Sequence, residues 1–255
     1  MPAADPKSWT ATGPADAPVI VFAHGTRLTR AAWNGQVRRL SGRFRCVALD
    51  LPGHGVLADR TYTPESAADH VAGVIADASP TGTAILVGAS LGGFTAIETA
   101  TRHPDRVSGI VLLGCTADPV GPTALVFRAF ATFLERVPPP VLDAVNALFF
   151  RTVYGCEVAE PIIAAGFHSQ GGAIAVRSLV GRRFSRQVFD LWTPILFLNG
   201  ALDPVFGPGG EGWAMASRDG RHQVVRRAGH LADLDRPAVV AAAIRRFAHA
   251  LTTGS

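Results

Sequence analysis

The chain has 255 residues, of which 48% are hydrophobic and 17% charged, and this composition suits one large folded domain and excludes a disordered protein. Its net charge of +4 comes almost entirely from arginines, which are scattered singly or in pairs, so nucleic-acid binding is not indicated. No apolar run reaches membrane-spanning length, and the first six residues lack the features of an export signal, so we expect a cytoplasmic protein.

Apolar strands alternate with helices through the first half of the chain. Strand patterns cover residues 18–23, 45–49, 85–89 and 107–114, and helical patterns cover residues 31–40, 64–77 and 94–103. Thr63 is the expected N-cap of the second helix, with Pro64 in its first turn. Buried strands joined by helices predict an α/β fold with a mostly parallel central sheet flanked by helices.

The alternation breaks between residues 116 and 191. Short helices are predicted at residues 123–137, 141–154, 160–166 and 173–180, and eight of the 14 phenylalanines lie in this region. The expected separators of these helices are Pro138-Pro139-Pro140, Gly155 and Gly171-Gly172. Strand patterns resume at residues 194–198 and 223–227, before a last helix at 237–251. We therefore expect a core domain formed by residues 1–115 and 192–255, with a helical insertion at residues 116–191.

The three cysteines, Cys46, Cys115 and Cys156, are an odd number at wide spacings. Such spacing forms neither a disulfide framework nor a metal-binding pattern. Cys46 and Cys115 lie in apolar strand patterns, where a small buried thiol is expected. We therefore predict reduced thiols and no metal site.

The strand that begins at residue 85 ends in Gly88-Ala89-Ser90-Leu91-Gly92, and a helical pattern follows. A strand–Gly-x-Ser-x-Gly–helix sequence is typical of a sharp turn that exposes a nucleophilic serine at a helix N-terminus. Glycines at positions 88 and 92 permit the close backbone contacts of such a turn. The simpler alternative is a glycine-rich turn in which Ser90 serves only as a helix N-cap.

Five further motifs occur in order around this turn: His24-Gly25-Thr26, Asp50-Leu51-Pro52-Gly53-His54-Gly55, Arg102-His103-Pro104-Asp105-Arg106-Val107, Asn199-Gly200-Ala201-Leu202-Asp203-Pro204 and Ala228-Gly229-His230. With the turn at Ser90, they make residues 18–251 resemble the α/β-hydrolase superfamily. The resemblance implies a mostly parallel sheet with flanking helices, and residues 116–191 as a helical cap. It does not imply a substrate, because one fold supports many reactions.

The resemblance also implies a triad in the chain order serine, acid, histidine. Ser90 is then the nucleophile, His230 its general base, and Asp203 the acid that orients the imidazole. Asp118 follows the strand that ends at residue 114 and is the alternative acid. We prefer Asp203 and expect Asp118 to be a hinge residue of the cap.

The oxyanion hole implied by the resemblance consists of the backbone N–H groups of Thr26 and Leu91. His24 and His54 lie in tight loops and are expected to form structural hydrogen bonds rather than to act in catalysis.

Four further residues are candidates for substrate contact. Arg27 either pairs with a substrate carboxylate or is a solvated loop arginine. Phe127 and Phe130 either line an acyl pocket or only pack the cap. His168 either touches substrate or has a packing role.

Together these residues predict a serine hydrolase that cleaves an ester, thioester or lactone without a metal or organic cofactor. The phenylalanine-rich cap favours a small, apolar acyl substrate. The alternatives are a carbon–carbon bond hydrolase, a cofactor-independent perhydrolase or oxygenase, and a non-catalytic small-molecule receptor. The glycine-rich loop common in carbon–carbon hydrolases is absent after His24-Gly25. A homo-oligomer is compatible with the sequence.

Overall fold

The structure, a computed structural model, describes residues 8–253. Within that range no helix has both the length and the apolar character that a membrane span requires. The first six residues, on which the expectation of no export signal rests, lie outside the described residues. The cytoplasmic location therefore stays a prediction of the sequence.

The described residues form a seven-stranded sheet in the order β1-β3-β2-β4-β5-β6-β7. Neighbouring strands are parallel except β1 and β3, which are antiparallel. The strands are β1 Trp9–Thr12, β2 Val19–Ala23, β3 Arg45–Leu49, β4 Ala84–Ala89, β5 Val107–Leu113, β6 Ile195–Gly200 and β7 Gly220–Val225. This arrangement confirms the expected fold class, and the carboxyl ends of the parallel strands meet at one edge.

The sequence missed β1 and misplaced β7. β1 is a short edge strand whose residues after Trp9 are exposed, so it lacks the apolar run of a central strand. β7 ends at Val225 rather than at residue 227, because Arg227 has a φ of 57° and cannot continue an extended strand.

Helices cover both faces of the sheet, and each face has its own core. Val19 and Val21 of β2 pack in one core with the second and third helices, while Ile20 and Phe22 pack in the other with the first and the last. These helices are α1 Asn34–Leu40, α2 Pro64–Ala78, α3 Leu91–Arg102 and α10 Pro237–Thr253. Successive strand side chains point to opposite faces, so every central strand contributes to both cores.

Local capping explains several helix starts. The side chain of Thr63 accepts a hydrogen bond from the backbone N–H of Ser66 at 3.1 Å, and the side chain of Ser66 accepts one from the backbone N–H of Thr63 at 3.0 Å. These two hydrogen bonds form a capping box for α2. The helix predicted at 31–40 instead begins with a 3-10 turn, Arg30–Trp33, before α1. α3 begins at Leu91, three residues before the predicted position, because Ser90 is its N-cap.

Between β5 and β6 the described chain forms four helices: α4 Gly121–Arg136, α5 Pro139–Ala164, α6 Ser169–Leu179 and α7 Phe184–Asp190. We call residues 121–190 the helical insertion. The segments predicted at 141–154 and 160–166 are the two halves of α5, which kinks at Gly155, where φ is 72°. α7 was not predicted.

Gly171 and Gly172 lie inside α6, so the prediction that they separate two helices is wrong. They serve close packing instead. A Cβ on Gly171 would lie 1.9 Å from the carbonyl oxygen of Gly53, and one on Gly172 would lie 2.8 Å from Cγ of Arg27. The absence of side chains therefore lets α6 pack directly on two loops of the core.

After β6 the chain forms two short helices, α8 Gly210–Ala216 and α9 Ala232–Asp235, on either side of β7. α9 follows the loop that carries His230 and precedes α10. The carboxyl ends of β6 and β7 thus bring Asp203 and His230 to the edge of the sheet where Ser90 also lies.

Candidate active site

Ser90 occupies a sharp turn between β4 and α3. Its φ of 51° lies in the left-handed region, which is unusual for a residue with a side chain. A Cβ on Gly88 would lie 2.2 Å from the carbonyl oxygen of Gly92, and a Cβ on Gly92 would lie 2.1 Å from that of Ala23. The two glycines are therefore required by the backbone contacts that hold the turn.

Asp203 and His230 form a hydrogen bond between the loops that follow β6 and β7. Oδ2 of Asp203 lies 2.8 Å from Nδ1 of His230, and Oδ1 accepts hydrogen bonds from the N–H groups of Val205 and Phe206, both at 3.0 Å. The Asp203 side chain is 2% exposed and that of His230 is 39% exposed. The carboxylate is thus fixed and buried, while the imidazole reaches a cavity.

Burial by itself raises the pKa of Asp203, but the hydrogen bond from His230 and those from Phe206 and Val205 outweigh it and hold the pKa below its usual range. A carboxylate that stays ionised favours the His230 tautomer with the proton on Nδ1, which leaves Nε2 free to accept a proton.

Asp118 does not reach His230. Its carboxylate accepts hydrogen bonds from the backbone N–H and the hydroxyl of Ser185 at the start of α7. Asp118 therefore ties the loop after β5 to the helical insertion, and of the two acids considered from the sequence the structure brings Asp203 to the histidine.

His24 and His54 are buried and bond to backbone groups. Nε2 of His24 accepts the N–H of Leu51 at 3.0 Å, and Nε2 of His54 accepts the N–H of Arg27 at 3.1 Å. Burial lowers the pKa of His24 to about 4 and that of His54 to about 3, so both rings are neutral at ordinary pH. They hold the loop that contains Thr26 in place.

A cavity of about 310 Å³ lies above the turn, and we call it the Ser90 cavity. Ser90, Asp203 and His230 line it together with Thr26 and Leu91. Its remaining lining is apolar: Phe94, Val126, Phe127, Phe130, Val176, Leu179, Pro204, Val205 and Phe206. The structure thus gathers at one cavity the five residues predicted for the triad and the oxyanion hole.

A second cavity of about 420 Å³ adjoins the first, and we call it the Arg27 cavity. It shares Thr26, Phe130 and His230 with the Ser90 cavity and adds Arg27, Asn146 and Asp235 among otherwise mostly apolar and aromatic side chains. Arg27 is half-buried and lies on the wall of this cavity.

Of the other three residues predicted to contact substrate, Phe127 and Phe130 line a cavity and His168 does not. Phe127 is buried and lines the Ser90 cavity, and Phe130 is 40% exposed and lines both cavities. His168 lines neither. Its ring lies 6.0 Å from that of His54, and its backbone N–H donates to the carbonyl of Arg27 at 2.9 Å, and both contacts favour the packing role.

Two residues beside His230 were not singled out from the sequence. The ring of Phe206 stacks on the imidazole with centroids 5.1 Å apart. Asp235 accepts a hydrogen bond from Gly229 N–H at 2.7 Å and one from Tyr154 O–H at 2.8 Å, which links the histidine loop to α5. Phe206 could have been predicted as a site residue because it lies only three positions after Asp203. No local sequence feature predicts the contact between Asp235 and Tyr154.

No group of three or more metal-ligating side chains is found within residues 8–253. The three cysteines are free thiols, with Cys46 and Cys115 buried and Cys156 exposed. Burial raises the pKa of the Cys46 thiol to about 12, so it stays protonated.

Comparison with known proteins gives one family. A sequence model described as "Alpha/beta hydrolase family" matches residues 20–243. The chain is 32% identical over 151 residues to a pimeloyl-(acyl-carrier protein) methyl ester esterase of Nitrosomonas europaea, and the alignment covers 58% of each protein. It is 38% identical over 102 residues to 2-(acetamidomethylene)succinate hydrolase of Mesorhizobium japonicum, with 39% of this chain and 36% of that protein covered. The chain thus spans 36% to 58% of the length of these curated relatives.

A solved structure resembles the chain along almost its whole length. It is a thermophilic esterase from Thermogutta terrifontis with malate bound, with a TM-score of 0.81 and 28% sequence identity. The match covers 96% of this chain and 94% of that one.

Proposed function

Since the chain belongs to the alpha/beta hydrolase family, we propose that it is a serine hydrolase that cleaves a carboxylic ester, thioester or lactone. The observation that carries the proposal is the 2.8 Å hydrogen bond between Asp203 and His230 at a cavity that Ser90 also lines. The esterase names of the relatives from Nitrosomonas europaea and Thermogutta terrifontis support the same reaction type.

In the proposed mechanism Ser90 attacks the substrate carbonyl while Nε2 of His230 takes its proton. Asp203 stabilises the imidazolium that forms. The backbone N–H groups of Leu91 and Thr26 stabilise the tetrahedral oxyanion, and each such donor contributes about 3 kcal/mol to transition-state stabilisation. His230 then protonates the leaving group, and a water molecule cleaves the acyl-enzyme with His230 again as the base.

The test is hydrolysis of a panel of acyl esters, lactones and thioesters by the purified protein. We expect the protein to hydrolyse at least one of these three substrate classes. Two other results would identify the alternative functions. Activity confined to peroxide or dioxygen would identify a perhydrolase or oxygenase. Negligible turnover with ligand-dependent binding of a partner protein would identify a receptor.

The rate of ester hydrolysis is expected to fall as the pH is lowered from about 8 to 5, because general-base catalysis by a histidine requires a neutral imidazole. Asp203 stays ionised there, because its pKa is held low. His24 and His54 stay neutral, with pKa values of about 4 and 3, so neither causes the fall. The measurement is kcat/KM against pH.

Asp233 provides the matched control for this profile. Burial raises its pKa to about 6, so it gains a proton in the same pH range. We expect Asp233→Asn to retain the acidic limb, because Asp233 has no part in the proposed mechanism. A limb that disappears in Asp233→Asn would instead assign the titration to Asp233.

We propose that the helical insertion acts as a cap that shapes the acyl pocket. Phe127→Ala is expected to enlarge the Ser90 cavity and to shift the preferred acyl chain length upward by about one or two carbons. Phe133 is on the same helix, is 49% exposed and lines neither cavity, so Phe133→Ala is the control. The measurement is relative kcat/KM across linear acyl esters, and equal profiles for both variants would contradict a pocket role for Phe127.

A further inference from the structure

The two adjoining cavities differ in which of the proposed catalytic side chains, Ser90 and His230, line them. Ser90 lines the Ser90 cavity and not the Arg27 cavity, whereas His230 lines both. In the proposed mechanism the acyl group stays bonded to Ser90, and the leaving oxygen takes its proton from His230. The acyl chain therefore belongs in the apolar Ser90 cavity and the leaving alcohol in the Arg27 cavity.

Arg27 and Asn146, which line the Arg27 cavity, each carry a hydrogen-bond donor without a partner among the described residues. Nε of Arg27 and Nδ2 of Asn146 are buried and have no hydrogen-bond partner among the described residues. A buried donor without a partner is costly, so such a group in a cavity indicates a ligand that supplies an acceptor. One donor here is cationic, and the guanidinium lies 5.9 Å from the centre of the Phe167 ring.

The backbone of Arg27 is held in an unfavourable conformation. Its φ is 69°, in the left-handed region, although it is not a glycine. Two histidines hold it: its N–H donates to Nε2 of His54 at 3.1 Å, and its carbonyl accepts the N–H of His168 at 2.9 Å. The loop therefore directs the Arg27 side chain into the cavity at a cost in backbone strain.

Two carboxylates lie near this cation, and neither forms an ion pair with it among the described contacts. Both oxygens of Asp235 accept hydrogen bonds, from Tyr154 and from Gly229. Asp143 on α5 attracts the guanidinium, but its Oδ1 is buried without a hydrogen-bond partner in the described structure. Arg27 thus remains available for an acceptor in the cavity.

We propose that the Arg27 cavity binds a carboxylate carried by the leaving alcohol, so that the substrates are apolar acyl esters of short hydroxy acids. This inference rests on the proposed serine hydrolase function. In the reaction the acyl C–O bond breaks and water supplies the hydroxyl of the released fatty acid. The proton that His230 took from Ser90 goes to the alcohol oxygen, and the remaining proton of the water returns through His230 to Ser90. The products are a fatty acid and a free hydroxy acid.

The test compares two esters of nearly the same shape, one with a carboxylate and one with a neutral amide: the hexanoate ester of 4-hydroxybutanoate and the hexanoate ester of 4-hydroxybutanamide. We expect the native enzyme to prefer the carboxylate, and Arg27→Gln to lower the ratio of the two kcat/KM values by about 10- to 100-fold, as for loss of a charged hydrogen bond. Asn146→Leu is expected to lower the same ratio by less, because its donor is neutral. A ratio unchanged in Arg27→Gln would overturn the proposal.

Asp143→Asn separates substrate binding from an internal role of Arg27. If Arg27 binds substrate carboxylate, removing the competing charge of Asp143 raises the ratio above that of the native enzyme. If Arg27 only neutralises Asp143, the ratio is unchanged in both variants, while Arg27→Gln lowers the melting temperature and Asp143→Asn restores it in the double variant. That second pattern would contradict the inference.

Binding to Ser90→Ala gives a readout that does not need turnover. Calorimetry with the two intact esters is expected to show tighter binding of the carboxylate ester, and the difference is expected to disappear when Arg27→Gln is added. Hydrolysis of both esters without charge preference would remove this inference and leave the proposed function standing. No hydrolysis of any ester would remove the proposed function, and equal binding of the two esters would still overturn the carboxylate site by itself.

Discussion

Ser90→Ala is expected to lower kcat for ester hydrolysis by about 10⁶-fold, as in serine hydrolases that lose their nucleophile. The reason is local: the residue at the turn between β4 and α3 is held at a φ of 51° beside the cavity that His230 lines, and no other serine lines that cavity. Folding should be unaffected, because alanine keeps the Cβ and removes only the hydroxyl. The measurement is kcat with an active ester, with circular dichroism as the check on folding.

Covalent labelling tests the same residue without a substrate. A fluorophosphonate probe is expected to add one adduct to the native protein, seen as a single mass increase, and Ser90→Ala should abolish it. Ser178→Ala is the matched control, since its hydroxyl donates to the carbonyl of Ala175 on α6 and lines neither cavity. Labelling that persists in Ser90→Ala, or that Ser178→Ala removes, would show that Ser90 is not the nucleophile.

Asp203→Asn is expected to lower kcat by about 10⁴-fold, with little change in KM. An asparagine amide at this position favours the His230 tautomer that places the proton on Nε2, and this nitrogen then cannot accept the proton of Ser90. The N–H groups of Val205 and Phe206 still find an acceptor in the amide oxygen, so the loop is expected to keep its conformation.

Asp118→Asn is the comparison that decides between the two acids. Its carboxylate bonds to Ser185 and not to the histidine, so we expect a small loss, mainly a rise in KM if α7 shifts. Both variants are assayed side by side, with folding checked by circular dichroism. If Asp118→Asn lost activity by orders of magnitude while Asp203→Asn stayed near native, the triad acid would lie after β5.

Phe206 and Asp235 show why part of the site could not be predicted from the sequence. Phe206 contacts His230 across 24 positions of chain, and the side chain of Asp235 contacts Tyr154 on a different unit of structure. Neither contact has a local signature, since an aromatic residue after an Asp-Pro turn and an aspartate before a helix are both common. The packing of α5 over the loop after β7 brings Tyr154 to Asp235, and the pairing of β6 with β7 brings Phe206 to His230.

The sequence alone determined the features that depend on a few adjacent residues. Examples are the glycines required by the turn at Ser90 and the capping of α2 by Thr63. The alternation of strands and helices is a further example. All three depend on backbone clashes, local hydrogen bonds or the spacing of apolar residues, which act over short stretches of chain. The tertiary structure decided which acid meets His230 and where Arg27 lies. Asp118 and Asp203 both follow parallel strands whose carboxyl ends share one edge, so their distance to the histidine depends on how the loops and the helical insertion pack. Burial of Arg27 likewise comes from α5 and α6, which are more than 100 residues away along the chain, so no local pattern could predict it.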